Sequence, residues 1–215
     1  MTIIGTFPKF LAAVGIALTL AGCGVNSIPA KDETVKARLG DVQAAYQRRS
    51  DLIPNLVATV QGYAVQEKTV LIQVTEARAQ ATHVSINAST VTDPAAFQKF
   101  QQAQDQLSGV LGRLLSITEN YPDLKSNQNF LALQSQLEGT ENRIEIARRD
   151  YNAAVQDYNT ELRTFPGVIW ATTLYKSQKP AVQFAASASA QSAPVVNFNG
   201  AAATQPATQP PPAQP

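Results

Sequence analysis

Charged and amide side chains recur in two parts of a chain that otherwise has an apolar helical rhythm. The first part is AYQRRSDLIPNL (45–56) and the second is 138–159. The candidates for chemistry are Arg48, Arg49, Asp51, Asn55, Glu138, Glu141, Asn142, Arg143, Arg148, Asn152 and Asn159. Two carboxylates in a shared cleft could act as general acid and general base. The same residue types also form salt bridges and amide hydrogen bonds between packed helices, which fix the register of a bundle.

A narrow helical bundle offers no deep pocket for a substrate, so we favour the structural interpretation of these polar residues. Arg49 falls on the apolar stripe of its helix. This position predicts that Arg48 or Arg49 pairs with a glutamate of the second polar part. The alternative is an enzyme or small-ligand binder that uses the Arg/Glu/Asn cluster.

Common motifs of metal, nucleophile and phosphate chemistry do not occur in the sequence. His83 is the single histidine, and no Glu-x-x-His pattern of a di-iron bundle is present. The sequence also has no Gly-x-Ser-x-Gly elbow and no Gly-x-x-x-x-Gly-Lys loop. We therefore expect no catalytic residue, no metal site and no cofactor, and we interpret His83 as an exposed loop residue.

The N-terminal residues have the pattern of a secretory targeting segment. Lys9 precedes the apolar run FLAAVGIALTLAGC (10–23), which is shorter than the roughly 20 residues of a spanning helix. The run ends in LAGC (20–23), which resembles a bacterial lipobox. That resemblance implies cleavage between Gly22 and Cys23, and lipidation of Cys23, the only cysteine. The alternative is an uncleaved membrane anchor.

Several acyl chains on Cys23 would anchor the mature protein durably in a membrane, since a single chain binds only marginally. Gly24 stands where the sorting rules of bacterial lipoproteins place an aspartate for retention at the inner membrane. Its presence implies an outer-membrane location that faces the periplasm. Removal of residues 1–22 takes Lys9 from the 17 basic side chains, which balances them against the 16 acidic ones. Nucleic-acid-binding proteins usually have an excess of basic side chains, which this chain lacks, so we expect no nucleic-acid partner.

The first half of the mature chain predicts one long, interrupted helix. We expect a tether over 23–33, followed by apolar residues spaced three and four apart from Val35 to Ala77. Pro54 lies inside this stripe and should kink the helix or make it restart. Residues 81–92 are rich in Ser, Asn, Thr and Val, and this composition predicts a loop.

Two more helices are expected in the second half. Asp93 as N-cap, followed by proline at the first helical position, predicts a helix start. This helix should end before the turn at 119–129. The last and longest helix is predicted over 126–164, and Pro166 and Gly167, which follow it, should prevent it from continuing.

The triplet DYN occurs twice in the last helix, at 150–152 and 157–159. Seven residues return to the same face of a helix. The tyrosines are therefore either core residues with hydroxyls that reach solvent, or a ladder for a partner helix. Residues 168–180 predict a short apolar appendage around Trp170. The uncharged Ala/Gln/Pro-rich composition of 181–215 predicts a disordered tail.

These elements predict an all-α fold, an elongated antiparallel bundle of three to four long helices over 34–180. Three blocks are similar to the signature of the LemA family of bacterial envelope proteins: YQRRSDLIPNLVATVQGYA (46–64), ENYPDLKSNQNFLALQSQLEGTENRIEIARRDYNAAVQDYN (119–159) and FP (165–166). The likeness covers 31–180, and GCGVNSIPAKDETVKA (22–37) resembles the lipoprotein branch. It implies long antiparallel helices in the cell envelope and brings no established activity with it. The loop at 81–92 and the tail match no pattern characteristic of the family.

The sequence as a whole predicts a non-enzymatic envelope lipoprotein. We expect the lipid on Cys23 to attach it to the membrane and the helices to serve as a scaffold or adaptor for other envelope proteins. Homo-oligomers are a further possible partner state. A third hypothesis assigns the uncharged tail a contact with the cell wall.

Overall fold

The computed structural model describes residues 24–87 and 89–185. The helices in these ranges are α1 (Ser27–Gln61), α2 (Lys68–His83), α3 (Pro94–Thr118), α4 (Pro122–Lys125), α5 (Gln128–Arg163) and α6 (Gly167–Thr173), with a 3₁₀ turn at Thr90–Thr92. No strand occurs in the described ranges, which confirms the predicted all-α fold. The predicted signal peptide (1–22), Cys23 and the tail beyond 185 lie outside the described residues.

The long helices form an antiparallel bundle. α1 packs along α5, α2 packs along α3, and α1 and α2 form a helical hairpin. α1 and α5 run in opposite directions, since Ser27 at the start of α1 bonds Glu161 near the end of α5. At about 1.5 Å per residue, the 36 residues of α5 span about 54 Å.

The apolar interior is divided into two clusters. One cluster joins the first half of α1 to the second half of α5 and the start of α3, with Val42, Phe97 and Tyr151 at its centre. The other joins the second half of α1 to α2, the second half of α3, α4 and the first half of α5, with Leu56 and Leu114 at its centre. The buried polar side chains of Arg49 and Gln104 lie between these two clusters.

The predicted tether over 23–33 is wrong from residue 27 onward. α1 begins at Ser27, and Ile28 is completely buried in the first apolar cluster. Pro29 is tolerated because the first N–H groups of a helix have no intrahelical partner. Burial of Ile28 therefore extends the helix almost to the N-terminal end of the described chain.

The restart that was one of the two outcomes predicted at Pro54 does not occur. α1 continues through Pro54 to Gln61, and the interruption lies between α1 and α2, at residues 62–67. Tyr63 has the spacing of the apolar stripe but is exposed, while Ala64 takes the buried position of this turn. The loop predicted for 81–92 is shorter, because α2 continues to His83.

The helix start at Asp93 is as predicted. The Asp93 side chain accepts hydrogen bonds from the backbone N–H groups of Ala95 and Ala96, and Pro94 occupies the first helical position. Such a cap satisfies donors that the helix itself leaves unpaired. In contrast, the predicted turn at 119–129 contains the short helix α4.

The chain reverses sharply after α5. Gly167, which opens α6, lies so close to α5 that an added Cβ would come within 2.1 Å of the Glu161 carbonyl oxygen. Only glycine leaves room for this approach. The reversal folds α6 back onto the ends of α5 and α1, and Trp170 packs against the first apolar cluster.

Candidate functional site

A buried polar layer separates the two apolar clusters, with Arg49 of α1 at its centre. The Arg49 side chain is 1% exposed. Its Nη1 donates to Ser108 Oγ of α3 at 2.7 Å and to Glu141 Oε1 of α5 at 3.0 Å. Its Nη2 donates to the Gln104 side-chain and backbone oxygens. Arg49 thus pairs with a glutamate of the long helix, as the sequence predicts.

Gln104 connects the layer to the remaining helix. Its side-chain amide donates to the backbone carbonyl of Ala81 in α2 at 3.2 Å. Arg49, Gln104, Ala81 and Glu141 therefore link four helices at one level of the bundle. A network in which each member satisfies another fixes the relative register of the helices that carry them.

Arg49 also interacts with an aromatic ring. Its guanidinium carbon lies 5.0 Å from the centre of the Tyr46 ring, one turn earlier on α1. Burial raises the pKa of Tyr46 above its ordinary value, and the nearby arginines Arg148 and Arg49 oppose that rise. Arg49 Nε is buried and has no hydrogen-bond partner among the residues that the structure describes. The two Nη atoms of the guanidinium therefore make its hydrogen bonds, and the Tyr46 ring makes its aromatic contact.

The same layer explains why α1 passes through Pro54. Proline has no N–H, so the carbonyl oxygen of Ser50, four residues earlier, loses its helical partner. Arg78 of α2 supplies one, because its Nε donates to the Ser50 carbonyl at 2.8 Å. The Ser50 hydroxyl lies 3.3 Å from the Thr82 hydroxyl of α2. An arginine from the neighbouring helix thus replaces the bond that the proline removes.

The predicted polar residues do not converge on one site. Arg48, Asp51 and Arg143 line a shallow depression on the outer face of α1 and α5. Glu138, Glu141, Asn142 and Arg148 lie along a groove between α3 and α5. Asn55 is exposed on α1, while Asn152 and Asn159 contact the segment after α6. Within this set, Arg49 and Glu141 form an ion pair, with 3.0 Å between Nη1 and Oε1.

The groove between α3 and α5 is open because these two helices do not pack closely along their length. It has a volume of about 620 Å³. Leucine and isoleucine side chains from both helices line it, among them Leu111, Leu115 and Ile144. Glu138, Glu141 and Glu145 of α5 add negative charge along one side, and Arg148 of the same helix adds one positive charge. The groove thus has an apolar lining and a rim whose net charge is negative.

The two DYN triplets hold an extended segment of the chain. The Asn152 side chain pairs with both the N–H and the carbonyl of Phe184, at 2.8 and 3.0 Å. Asn159 makes the same pair of bonds with Ala181, at 2.9 and 2.8 Å. Seven helical residues rise about 10 Å, which equals the reach of three extended residues. The spacing of the triplets therefore matches the spacing of the backbone that they bind.

The tyrosines of the triplets complete this arrangement. Tyr151 and Tyr158 are buried, and their hydroxyls donate to the Val182 carbonyl at 2.9 Å and to Gln178 Oε1 at 2.9 Å. Burial raises the pKa of Tyr158 to about 12 and raises that of Tyr151 as well. The predicted core position is correct, but the hydroxyls bond the chain itself where solvent was expected.

The extended segment contradicts the predicted start of the disordered tail at 181. Ala181 and Phe184 are buried, and the Phe184 ring lies 4.7 Å from the Phe97 ring and 4.8 Å from the Arg148 guanidinium carbon. An aromatic side chain in such a socket contributes to the core like any helical residue. The rest of the predicted tail lies outside the described residues.

Sequence reasoning missed three members of the polar layer, Gln104, Ser108 and Arg78. Gln104 falls on the apolar stripe of α3, one turn from Phe100 and three residues before Leu107, and this is the signal that could have identified it. Ser108 and Arg78 carry no comparable signal, since each lies beside a stripe.

Metal chemistry has no support in the described ranges. No group of three or more His, Cys, Asp or Glu side chains is placed there to hold an ion. His83 is exposed at the end of α2. No helix in residues 24–87 or 89–185 combines the length and the apolar character that crossing a membrane requires.

Comparison with known proteins identifies several of similar sequence. The chain is 24% identical over 157 residues to the magnetosome protein MamQ 2 of Paramagnetospirillum magneticum, an alignment of 66% of this chain and 58% of that protein. It is 22% identical over 156 residues to Protein LemA of Metamycoplasma hominis, covering 73% of this chain and 67% of that protein. The chain thus spans somewhat more than half the length of MamQ 2.

The family model gives a further match. The model of the LemA family matches residues 38–198, most of the chain. The match continues past 181, so the first part of the tail belongs to the family pattern, contrary to the expectation that the tail departs from it. The chain is a member of the LemA family.

Proposed function

We propose that the protein is a bacterial envelope lipoprotein, attached to the outer membrane on its periplasmic side by acylated Cys23. Its helices would act as a non-catalytic scaffold or adaptor for other envelope proteins. The observation that carries this proposal is that the bundle begins within a few residues of the lipobox along the chain. α1 begins at Ser27, and Gly24 already lies against Pro166, whose Cγ would be 3.4 Å from an added Cβ.

This closeness has a mechanical consequence. An anchor at Cys23 leaves only residues 24–26 between the lipid and α1, so the bundle end is held at the membrane. The opposite end of α5 then lies about 54 Å away along the helix axis. A bundle held in this way presents side surfaces to proteins in the periplasm at a fixed distance from the anchor.

The groove between α3 and α5 is the surface best suited to a partner. Its apolar base and acidic rim suit an amphipathic helix with a basic flank, which would pack where α3 and α5 leave space. Gly112 lines this groove, while Gly139 on α5 does not. An added Cβ meets no atom within 4 Å at either glycine, so both accept a photo-crosslinking residue.

Crosslinking in intact cells tests the groove with these two glycines as a matched pair. We expect discrete adducts from Gly112 and none of the same mass from Gly139. The captured partner segment should carry a basic amphipathic helix. The same adducts from both positions would refute the groove as the docking surface.

The anchor is tested by metabolic labelling with a fatty acid. We expect the label in the wild type and none in Cys23→Ser, together with loss of the variant from the outer-membrane fraction. Equal labelling of both proteins would refute the lipoprotein assignment, and the segment 1–22 would then act as an uncleaved anchor.

The alternative, an enzyme or small-ligand binder, requires the predicted polar residues to converge in a concave pocket. They are distributed among the buried layer, the groove between α3 and α5 and the shallow depression on α1 and α5. Asn152 and Asn159 lie apart from these and bind Phe184 and Ala181, an arrangement that we call the Asn ladder. Arg49 itself is 1% exposed. A cavity of about 230 Å³ beside the layer is lined by Tyr46, Ser50, Gln104 and other uncharged residues, with no acid–base pair. The geometry thus favours the scaffold.

A further inference from the structure

The end of the bundle next to Cys23 carries an exposed apolar surface. Phe165 is 80% exposed, Ile169 44% and Leu174 62%, and all three lie on or beside the short helix α6. We call these residues the apolar tip. Isolated apolar side chains on a protein surface need no explanation, but a group on one short segment marks a contact surface.

The tip lies beside Gly24, the first residue that the structure describes. An added Cβ at Gly24 would be 3.8 Å from the indole Nε1 of Trp170, which belongs to the same helix as Ile169. Residue 24 directly follows the segment 10–23, the most apolar run of the sequence. Whether the anchor is that segment itself or lipid on Cys23, it is bonded directly to Gly24, which lies beside α6.

Trp170 lies next to the apolar tip, one residue after Ile169. Its ring is partly buried against the first apolar cluster, and its indole Nε1 is buried and has no hydrogen-bond partner among the residues that the structure describes. The ring is therefore fixed beside the tip side chains, where it can report on lipid that comes close to them.

The charges around the tip suit an anionic bilayer. Arg163 at the end of α5 and Lys176 after α6 are exposed. The nearest acid of this end, Glu161, accepts a hydrogen bond from Ser27 at 2.6 Å and lies 3.8 Å from Lys31. Basic side chains close to a membrane surface each gain attraction to anionic lipid headgroups.

From these observations we propose that the apolar tip inserts into the membrane interface, so that the protein contacts the bilayer through Phe165, Ile169 and Leu174 as well as through its N-terminal anchor. This inference rests on the proposed attachment near Cys23. The tip is a second contact that fixes how the bundle end meets the membrane, since one flexible point of attachment would allow it to swing. α6 has 7 residues, which places it in the interface and not across the bilayer.

Trp170 is the only tryptophan, so its fluorescence reports on the tip without a label. The full chain, processed in cells and purified from membranes, is reconstituted into phosphatidylethanolamine–phosphatidylglycerol vesicles with plain or brominated acyl chains. We expect about twofold quenching of Trp170 by the brominated lipid and a blue-shifted emission. A variant with Phe165→Ser, Ile169→Ser and Leu174→Ser should lose most of the quenching.

Two controls separate the tip from other effects. Leu131→Ser removes a comparably exposed apolar side chain near the opposite end of α5 and should leave the quenching unchanged. Flotation with the vesicles reports the anchor independently. Protein that floats while Trp170 is equally bright in both lipids overturns the tip and leaves the anchor intact, whereas protein that does not float overturns both.

The wild-type measurement decides the proposal even if the triple variant fails to fold. In that case Leu174→Ser alone, which removes the side chain farthest along the tip from the α5 reversal, is expected to reduce the quenching in part. Unchanged quenching in a folded Leu174→Ser and in a folded triple variant would show that Trp170 meets lipid without the tip, and would overturn the role of these side chains.

Discussion

The bond between Arg78 and the Ser50 carbonyl can be tested against the proline that makes it necessary. In the wild type, Arg78→Ala leaves a mostly buried carbonyl without a donor, which costs about 1–2 kcal/mol of unfolding free energy. In a Pro54→Ala background, residue 54 regains an N–H that bonds the same carbonyl within α1. Arg78→Ala should then cost about 0.5 kcal/mol or less.

The difference between the two backgrounds is a coupling energy of about 1 kcal/mol, measured by urea denaturation followed by circular dichroism on all four proteins. Arg113→Ala is the matched control. Arg113 is an exposed arginine of α3 that donates to Gln73 and makes no contact with Pro54, so its cost should be the same in both backgrounds. A coupling energy for Arg78 no larger than that of Arg113 would refute the proposed replacement of the helical bond.

Three further predictions concern the buried layer and the docked segment. Arg49→Ala should cost about 2–5 kcal/mol of stability, because it empties a buried site and leaves the buried oxygen of the Gln104 side chain without its donor. Glu141→Gln should cost below about 1 kcal/mol because Glu141 is 47% exposed. Denaturant titration measures both losses, and losses of similar size would contradict this prediction. Asn152→Ala should increase hydrogen exchange at the Phe184 amide about tenfold by NMR, and an unchanged rate would mean that the Asn152 bond does not protect it. The neutral form of Tyr158 is favoured in the folded state, where its pKa is raised from 10.0 to about 12, so the unfolded chain releases this proton first. Wild-type stability should therefore fall by roughly 2 kcal/mol relative to Tyr158→Phe between pH 10 and 12, and parallel pH profiles of the two proteins would contradict this.

Local signals in the sequence were sufficient for the two helices α3 and α5 and for the N-terminal cap of α3. Apolar spacing locates α3 and α5 closely, and the Asp93–Pro94 pair marks the start of α3 to the residue. These signals act within one turn of helix, so neighbouring residues alone determine them. The pairing of Arg49 was also predictable, because a charged residue on an apolar stripe has to find a partner inside the bundle.

Long-range contacts account for the errors. Pro54 predicts an interruption only if its orphaned carbonyl has no donor, and the donor, Arg78, comes from another helix. The composition after 181 predicts disorder, yet the Asn and Tyr side chains of α5 provide the hydrogen bonds that hold 181–184. In both cases the deciding partner lies more than 20 residues away along the chain, where no local pattern indicates it.

The buried layer and the Asn ladder perform related tasks at different levels of the bundle. Apolar side chains alone tolerate sliding of one helix along another, since one leucine contact resembles the next. Arg49 removes this freedom among α1, α3 and α5, because a shift of one turn would separate its guanidinium from Gln104 and Glu141. The paired bonds of Asn159 do the same for the extended segment, where a slip of one residue would leave the Ala181 N–H and carbonyl unpaired. A scaffold needs this fixed register, because the groove and the tip can serve their partners only if the helices that form them keep one relative position.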